Sequence, residues 1–79
     1  MADRTIKCPV PGTFYRGPSS DADPYVSEGD QVGAGDIVGL VEVMKQFYEV
    51  LSEQDGIIDR FLVGNHDVVE AGQDIAVLR

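Results

Sequence analysis

The sequence repeats itself in VGAGDIVGLV (residues 32–41) and VEAGQDIAVL (residues 69–78), two segments 37 positions apart. Each segment begins with a valine, has a glycine three residues later and ends in an apolar run. An aspartate precedes each segment at the same distance, Asp30 in the first copy and Asp67 in the second. A duplicated unit of this kind predicts two similar halves that bury their apolar faces against each other. We therefore predict an all-β fold, a flattened sandwich.

The rest of the chain fits the same fold class, because Gly, Pro, Asn and Asp interrupt it every few residues. Between these turn residues lie short runs rich in Val, Ile, Phe and Tyr, which favour strands. The runs predict strands at Thr5–Cys8, Thr13–Tyr15, Ile37–Val43, Phe47–Leu51, Ile57–Val63 and Ile75–Leu78, with two shorter ones at Gln31–Val32 and Val68–Val69.

Residues 36–51 also fit an amphipathic helix, because their apolar side chains recur at helical spacing. Periodicity alone does not decide between helix and strands. Two observations favour strands: the enrichment in β-branched and aromatic residues, and the repeat, whose second copy ends at Arg79 and has no counterpart of such a helix. With strands on both sides, the link around Val43–Gln46 becomes a hairpin at one end of the sandwich.

A chain of 79 residues makes one small domain, which we place at residues 1–79. Hydrophobic residues make up 43% and charged residues 25%, the balance of a globular protein. The small core leaves little room for a deep pocket, which argues against a self-contained enzyme. We expect a monomer in isolation.

The formal net charge of −8 makes binding to nucleic acid improbable, because such proteins gather Lys and Arg on one face. No apolar stretch is long enough to span a bilayer, and the N-terminal residues do not form a signal peptide. We therefore expect a cytoplasmic protein that does not bind membranes.

Two residue types that often bind metals or react chemically are too sparse here to form a site. Cys8 is the only cysteine, so it cannot form an internal disulfide, and its apolar neighbours predict a buried side chain. His66 is the only histidine and lacks companions for a zinc site.

The predicted hairpin, Glu42–Gln46, breaks a local rule. Tight hairpin turns favour Asn-Gly or Asp-Gly because their backbone needs positive φ, whereas Met44 and Lys45 occupy the centre of this one. Such a violation is a reason to suspect function. The alternative is that Lys45 is an ordinary solvated hairpin lysine.

Four motifs, in this order along the chain, resemble those of a known family: PVPGTFYR (9–16), PSSDA (18–22), EGDQV (28–32) and EVMK (42–45). The chain is similar to the biotinyl domain of biotin carboxyl carrier proteins, most of all those of acetyl-CoA carboxylase. The resemblance extends over nearly the whole chain. It implies a flattened β-barrel or sandwich of two four-stranded halves related by quasi-two-fold symmetry. It also implies biotin attached covalently to Lys45 on an exposed hairpin.

The same resemblance implies partners and roles. A biotin ligase would load Lys45, and biotin would then move a carboxyl group from a biotin carboxylase to a carboxyltransferase in fatty acid biosynthesis. The domain would be a carrier without catalysis of its own. The hairpin residues for ligase recognition would be Glu42, Val43, Met44, Lys45 and Gln46. The loop after Gly17 would be the family's "thumb", which can touch the biotin ring through Ser19, Ser20, Asp21 and Ala22.

The sequence departs from the family at three positions. Val43 stands where Ala is usual, Gln46 where Met is usual, and His66 where the second half commonly has Gly in its turn. The first two bear on recognition by a ligase, and the third predicts an unusual backbone at His66.

Two other functions remain open. A lipoyl domain has the same fold and a hairpin lysine but serves acyl transfer, and it generally has Asp before the lysine, where this chain has Met44. An unmodified β-domain adaptor is the second alternative, with Lys45 merely solvated.

Overall fold

The computed structural model describes residues 4–19 and 21–79, and every regular element in these ranges is a strand. The strands are β1 (Arg4–Lys7), β2 (Gly12–Tyr15), β3 (Gln31–Val32), β4 (Ile37–Val43), β5 (Gln46–Leu51), β6 (Gly56–Phe61), β7 (Val68–Val69) and β8 (Asp74–Leu78). Each predicted strand is present, with ends shifted by at most two residues. The helical alternative for residues 36–51 is wrong, because that segment forms β4 and β5.

The eight strands form two antiparallel sheets of four. The hairpin sheet has the order β5-β4-β2-β7, and the terminal sheet has the order β1-β8-β6-β3. Exchanging the strands that are four places apart in the chain (β1 with β5, β2 with β6, β3 with β7 and β4 with β8) converts the terminal sheet into the hairpin sheet. This exchange is the quasi-two-fold symmetry that the resemblance implies, and it confirms the predicted fold.

One hydrophobic core lies between the two sheets. Phe14, Ile58 and Ile75 are its largest fully buried side chains. The repeat supplies much of the core, including Val38 and its counterpart Ile75, both without exposed surface. Cys8 is buried as predicted, and its thiol donates to the carbonyl oxygen of Val10 at 2.8 Å. Burial raises the pKa of this thiol above its ordinary value.

The turns before β3 and β7 show why the repeat includes an aspartate. The Asp30 carboxylate accepts from the backbone N–H of Ser27 at 2.9 Å, and the Asp67 carboxylate accepts from that of Gly64 at 2.7 Å. Each carboxylate thus closes a four-residue turn by satisfying a backbone donor. The two turns are equivalent under the shift of 37 positions.

Both ends of the described chain lie at the base of the hairpin, away from its tip. Arg4 pairs with Leu78 in the β1–β8 ladder, and its guanidinium donates to the carbonyl oxygen of Asp55 at 2.8 Å. The Asp55 carboxylate in turn accepts from the backbone N–H of Ala34, just before β4 begins. Seven residues of β4 then lead to Val43, roughly 20 Å away at about 3.3 Å per residue.

Residues 4–19 and 21–79 contain no helix with the length and hydropathy needed to cross a membrane.

Candidate functional site

The hairpin between β4 and β5 has the tightest common loop. Val43 pairs with Gln46 as the last rung of the ladder, so only Met44 and Lys45 lie between the strands. Their φ angles are 51° and 69°, and a two-residue turn with positive φ at both positions suits the right-handed twist of the flanking strands. Neither residue is a glycine. The backbone violation predicted from the sequence is therefore present at both positions.

This turn presents two side chains to solvent. Met44 is 91% exposed, and Lys45 is exposed beside it. No hydrogen bond or ion pair joins the Lys45 amine to another residue in the described ranges. The arrangement is a solvent-exposed lysine at the tip of a hairpin.

The residues flanking the turn are held more firmly. Val43 is half-buried and packs against the core, which explains how a residue larger than alanine is accommodated there. Gln46 is exposed, and its side-chain oxygen accepts from the Tyr48 hydroxyl at 3.2 Å. Gln46 is therefore part of a polar contact along β5.

Glu42 connects the hairpin to β2. Its carboxylate accepts a hydrogen bond from the Tyr15 hydroxyl at 2.9 Å. Because the carboxylate favours the protonated phenol, this bond raises the pKa of Tyr15 above its ordinary value. The Tyr15 ring also packs on Phe47, with ring centroids 6.2 Å apart. Glu42 and Phe47 are direct partners in the β4–β5 ladder, so Tyr15 contacts both strands of the hairpin.

His66 lies on the other side of the Tyr15 ring. The two rings meet edge to face at an interplanar angle of 75°, with centroids 5.2 Å apart. His66 has a φ of 73°, as predicted from its place in a turn that usually holds glycine. Its backbone N–H donates to the carbonyl oxygen of Phe14 at 2.6 Å, which anchors the turn to β2.

Tyr15 is a residue of the site that the sequence patterns do not predict, and they indicate for His66 only a turn position and no metal site. The only signal for Tyr15 was its position in the PVPGTFYR motif. Gly12, in the same motif, lets β2 approach the hairpin closely, because a Cβ there would overlap the carbonyl oxygen of Glu42.

The predicted thumb is a surface loop whose neck is closed by a hydrogen bond from the Tyr25 backbone N–H to the carbonyl oxygen of Arg16, at 2.8 Å. Ser19, Asp21 and Ala22 are exposed in it, and Ser20 lies outside the described residues. Among the described residues, no hydrogen bond joins this loop to the hairpin. A contact with a biotin ring stays a prediction.

No group of three or more His, Cys, Asp or Glu side chains in residues 4–19 and 21–79 is arranged to hold a metal ion.

The family model described as "Biotin-requiring enzyme" matches residues 4–78 of the chain. Among curated proteins, the chain is 36% identical over 74 residues to the biotin carboxyl carrier protein of acetyl-CoA carboxylase from Streptococcus pyogenes, which covers 94% of this chain and 45% of that protein. The protein of the same name from Haemophilus influenzae is 30% identical over 78 residues, which is 99% of this chain and 50% of that protein. The chain therefore spans about half the length of these relatives.

A solved structure shows the same architecture. The chain superimposes on the urea carboxylase of Kluyveromyces lactis with a TM-score of 0.81 and 30% sequence identity. The match covers 100% of this chain and 6% of the carboxylase chain.

Proposed function

The chain belongs to the biotin-requiring enzyme family, and from this membership we propose that it is a biotin carboxyl carrier with biotin attached to Lys45. The single observation that most supports the proposal is the hairpin turn. It exposes Met44 and Lys45 in a backbone conformation that neither residue favours, and it leaves the Lys45 amine without a partner among the described residues.

The residues present fit the cofactor. Attachment requires an amine that can form an amide with the carboxyl group of biotin, and Lys45 presents one in the open. Lysine amines are protonated at neutral pH, so the ligase that activates the carboxyl group must also remove a proton. Met44 precedes Lys45 in the turn, and Glu42 lies near the end of β4 in the same hairpin, where a ligase can recognise them.

Lys45 would hold biotin, which would supply a carrier for a carboxyl group taken up at a biotin carboxylase site and given up at a carboxyltransferase site. The contribution of this chain is to hold the attachment point on a short, well-paired hairpin and so raise the local concentration of the tethered group at both sites. The domain acts as a carrier subunit and performs no catalysis of its own.

We assign the carrier to acetyl-CoA carboxylase and thus to fatty acid biosynthesis, because the curated relatives have that name. The partners are then a biotin ligase, a biotin carboxylase and a carboxyltransferase. We further propose that the domain is monomeric in isolation and cytoplasmic.

The two alternatives make different predictions for Lys45. A lipoyl domain would acquire a lipoyl group there, although Met44 occupies the place where such domains generally have Asp. An unmodified adaptor would acquire nothing.

The deciding experiment is the intact mass of the protein co-produced with a biotin ligase and excess biotin. We expect one biotin-sized increment, which is lost in Lys45→Arg and retained in Lys7→Arg. The second variant is a matched control, because these are the only two lysines and both substitutions keep the charge. Biotin on Lys7 would contradict the attachment site. A lipoyl-sized increment would favour acyl transfer, and no increment would favour the adaptor.

A further inference from the structure

Tyr15, on β2, contacts both strands of the hairpin. Tyr15 and Glu42 alternate with the buried Phe14 and Val41, so they project from the outer face of the hairpin sheet. There the Tyr15 hydroxyl donates to Glu42 on β4, and its ring packs on Phe47 of β5.

The turn above this contact is strained. For L-residues the left-handed conformation is unfavourable because Cβ crowds the following carbonyl oxygen, and both Met44 and Lys45 adopt it. Neither side chain is buried, so packing within the turn does not offset that cost. Strained turns persist when the surrounding structure fixes them. Here the fixed part is the stem of the hairpin, the two residue pairs Val43–Gln46 and Glu42–Phe47 next to the turn.

We propose that Tyr15 is a positioning residue for the attachment lysine. By holding Glu42 and Phe47 together it fixes the stem, and with it the direction in which the turn presents Lys45. In this arrangement Glu42 acts chiefly as a hydrogen-bond acceptor for Tyr15 and only secondarily as a charge for a ligase to recognise. The inference rests on the proposed function of Lys45.

His66 supports this role from the opposite side. Its ring meets Tyr15 edge-on, and its backbone N–H is bonded to β2 through Phe14. The Tyr15 ring is thus held between His66 and Phe47, and its hydroxyl stays directed at Glu42.

The two possible roles of Glu42 can be separated by two conservative substitutions. Tyr15→Phe removes the hydrogen-bond donor and leaves the Glu42 charge intact. Glu42→Gln removes the charge and keeps a side-chain oxygen that can accept from Tyr15. Tyr48→Phe is the matched control, because among residues 4–19 and 21–79 the hydrogen bond of the Tyr48 hydroxyl stays within its own strand, to Gln46.

The test measures the steady-state kinetics of biotin transfer by a biotin ligase on each variant. Loss of orientation at a reacting group lowers kcat, so we expect Tyr15→Phe to reduce kcat about tenfold with little change in KM for the carrier. Tyr48→Phe should stay within about twofold of the unsubstituted chain, because it keeps the Tyr15 contact to β4. Glu42→Gln keeps an acceptor for the Tyr15 hydroxyl, so it should lower kcat less than Tyr15→Phe does. Circular dichroism should show the same fold in all four proteins.

A second readout does not depend on biotin. We expect the backbone order parameters of Met44 and Lys45, measured by ¹⁵N relaxation, to fall in Tyr15→Phe and to be unchanged in Tyr48→Phe. The inference is overturned if Tyr15→Phe leaves kcat and these order parameters unchanged, or if Glu42→Gln raises KM while Tyr15→Phe has no effect. Failure of the unsubstituted chain to accept biotin would instead contradict the proposed function, and the order parameters would still test the role of Tyr15.

Discussion

At the scale of single residues, Met44 makes its turn less stable than glycine would, and it places a methionine side chain in solvent. Met44 is 91% exposed and has a φ of 51°, so its side chain gains nothing from burial while its backbone is strained. Glycine adopts this conformation without steric cost. Glycine, the residue best suited to this backbone conformation, is therefore absent from the turn where the proposed ligase would bind.

We predict that Met44→Gly stabilises the domain and impairs its function. Relief of strain, less the entropy cost of glycine, should raise the free energy of unfolding by about 0.5–1 kcal/mol. For a domain of this size that is a rise in Tm of about 2–8 °C, measurable by thermal unfolding. Transfer of biotin to Lys45 should slow, because Met44 is lost to ligase recognition.

Glu49→Gly is the control for this substitution. Glu49 is also exposed, but it lies within β5, where glycine has no strain to relieve. It should lower the stability by about 0.5–1 kcal/mol. If both glycines destabilise the chain equally, the turn at Met44 is not strained.

Single residues also show where sequence reasoning reaches its limit. Lys45 could be found because it breaks a rule about its nearest neighbours, and the unusual φ of His66 could be found from the turn in which it lies. Tyr15 could not be found in this way. Its contact with Glu42 joins residues 27 positions apart and depends on the register of β2 against β4, which local patterns do not specify.

At the scale of elements, β4 passes over the Phe14 ring at Gly39. A Cβ at Gly39 would stand 2.5 Å from one ring carbon of Phe14 and 2.7 Å from another. The equivalent residue of the repeat, 37 positions later, is Ala76. Along β4 and its counterpart in the repeat, β8, this is the one position where the first copy has glycine and the second has a side chain. The close contact with Phe14 explains the difference.

We predict that Gly39→Ala costs about 1–3 kcal/mol, because the added methyl group forces the Phe14 ring out of a filled core. Urea unfolding with an unchanged m-value would measure it. Gly33→Ala is the matched control, since the nearest atom to a Cβ there is at 3.5 Å, an ordinary contact. A cost in Gly39→Ala no larger than in the control would show that the ring moves freely.

The strands themselves were largely predictable, and their ends were not. Alternation and turn residues located all eight strands, including β3 and β7 with only two residues each. The predicted strand ends differ from the observed ones where backbone pairing stops before the apolar run does. For example, β6 ends at Phe61, two residues before its apolar run ends at Val63. Residues 36–51 have apolar side chains at helical spacing, yet they form strands. Non-local pairing favours the strands, because β4 lies between β5 and β2 in the hairpin sheet.

At the scale of the whole molecule, charge is the least balanced property. Fourteen acidic and six basic side chains give a formal net charge of −8. Among the described residues, Lys7 forms an ion pair with Asp74, Arg60 and Arg79 both pair with Asp59, and the other carboxylates have no such partners. Self-repulsion of this kind destabilises a compact state.

We predict that salt stabilises the protein. Raising NaCl from about 0.01 M to about 1 M shortens the Debye length from roughly 30 Å to roughly 3 Å and should raise Tm by several degrees. Replacing Glu49 and Glu53 by glutamine changes the net charge from −8 to −6 and should reduce this gain. A fall in Tm with salt would mean that the few ion pairs outweigh the general repulsion.

The symmetry of the two sheets was implied by the resemblance and suggested by the repeat, whereas its physical origin is visible only in three dimensions. Asp30 and Asp67 close equivalent turns, and the strands that follow fill opposite sides of one core. Sequence spacing located the copies but did not show that each sheet takes two strands from each half.

The pairing of Arg4 with Leu78 makes the domain easy to insert into, or fuse to, another polypeptide. The first and last strands, β1 and β8, are neighbours, and the two ends of the described chain lie at the end of the sandwich opposite Lys45. A longer polypeptide can therefore be joined at either end without interrupting a strand or blocking access to the lysine. A linker attached at that base would let the whole sandwich move as one body, and the length of the linker would set how far Lys45 can reach.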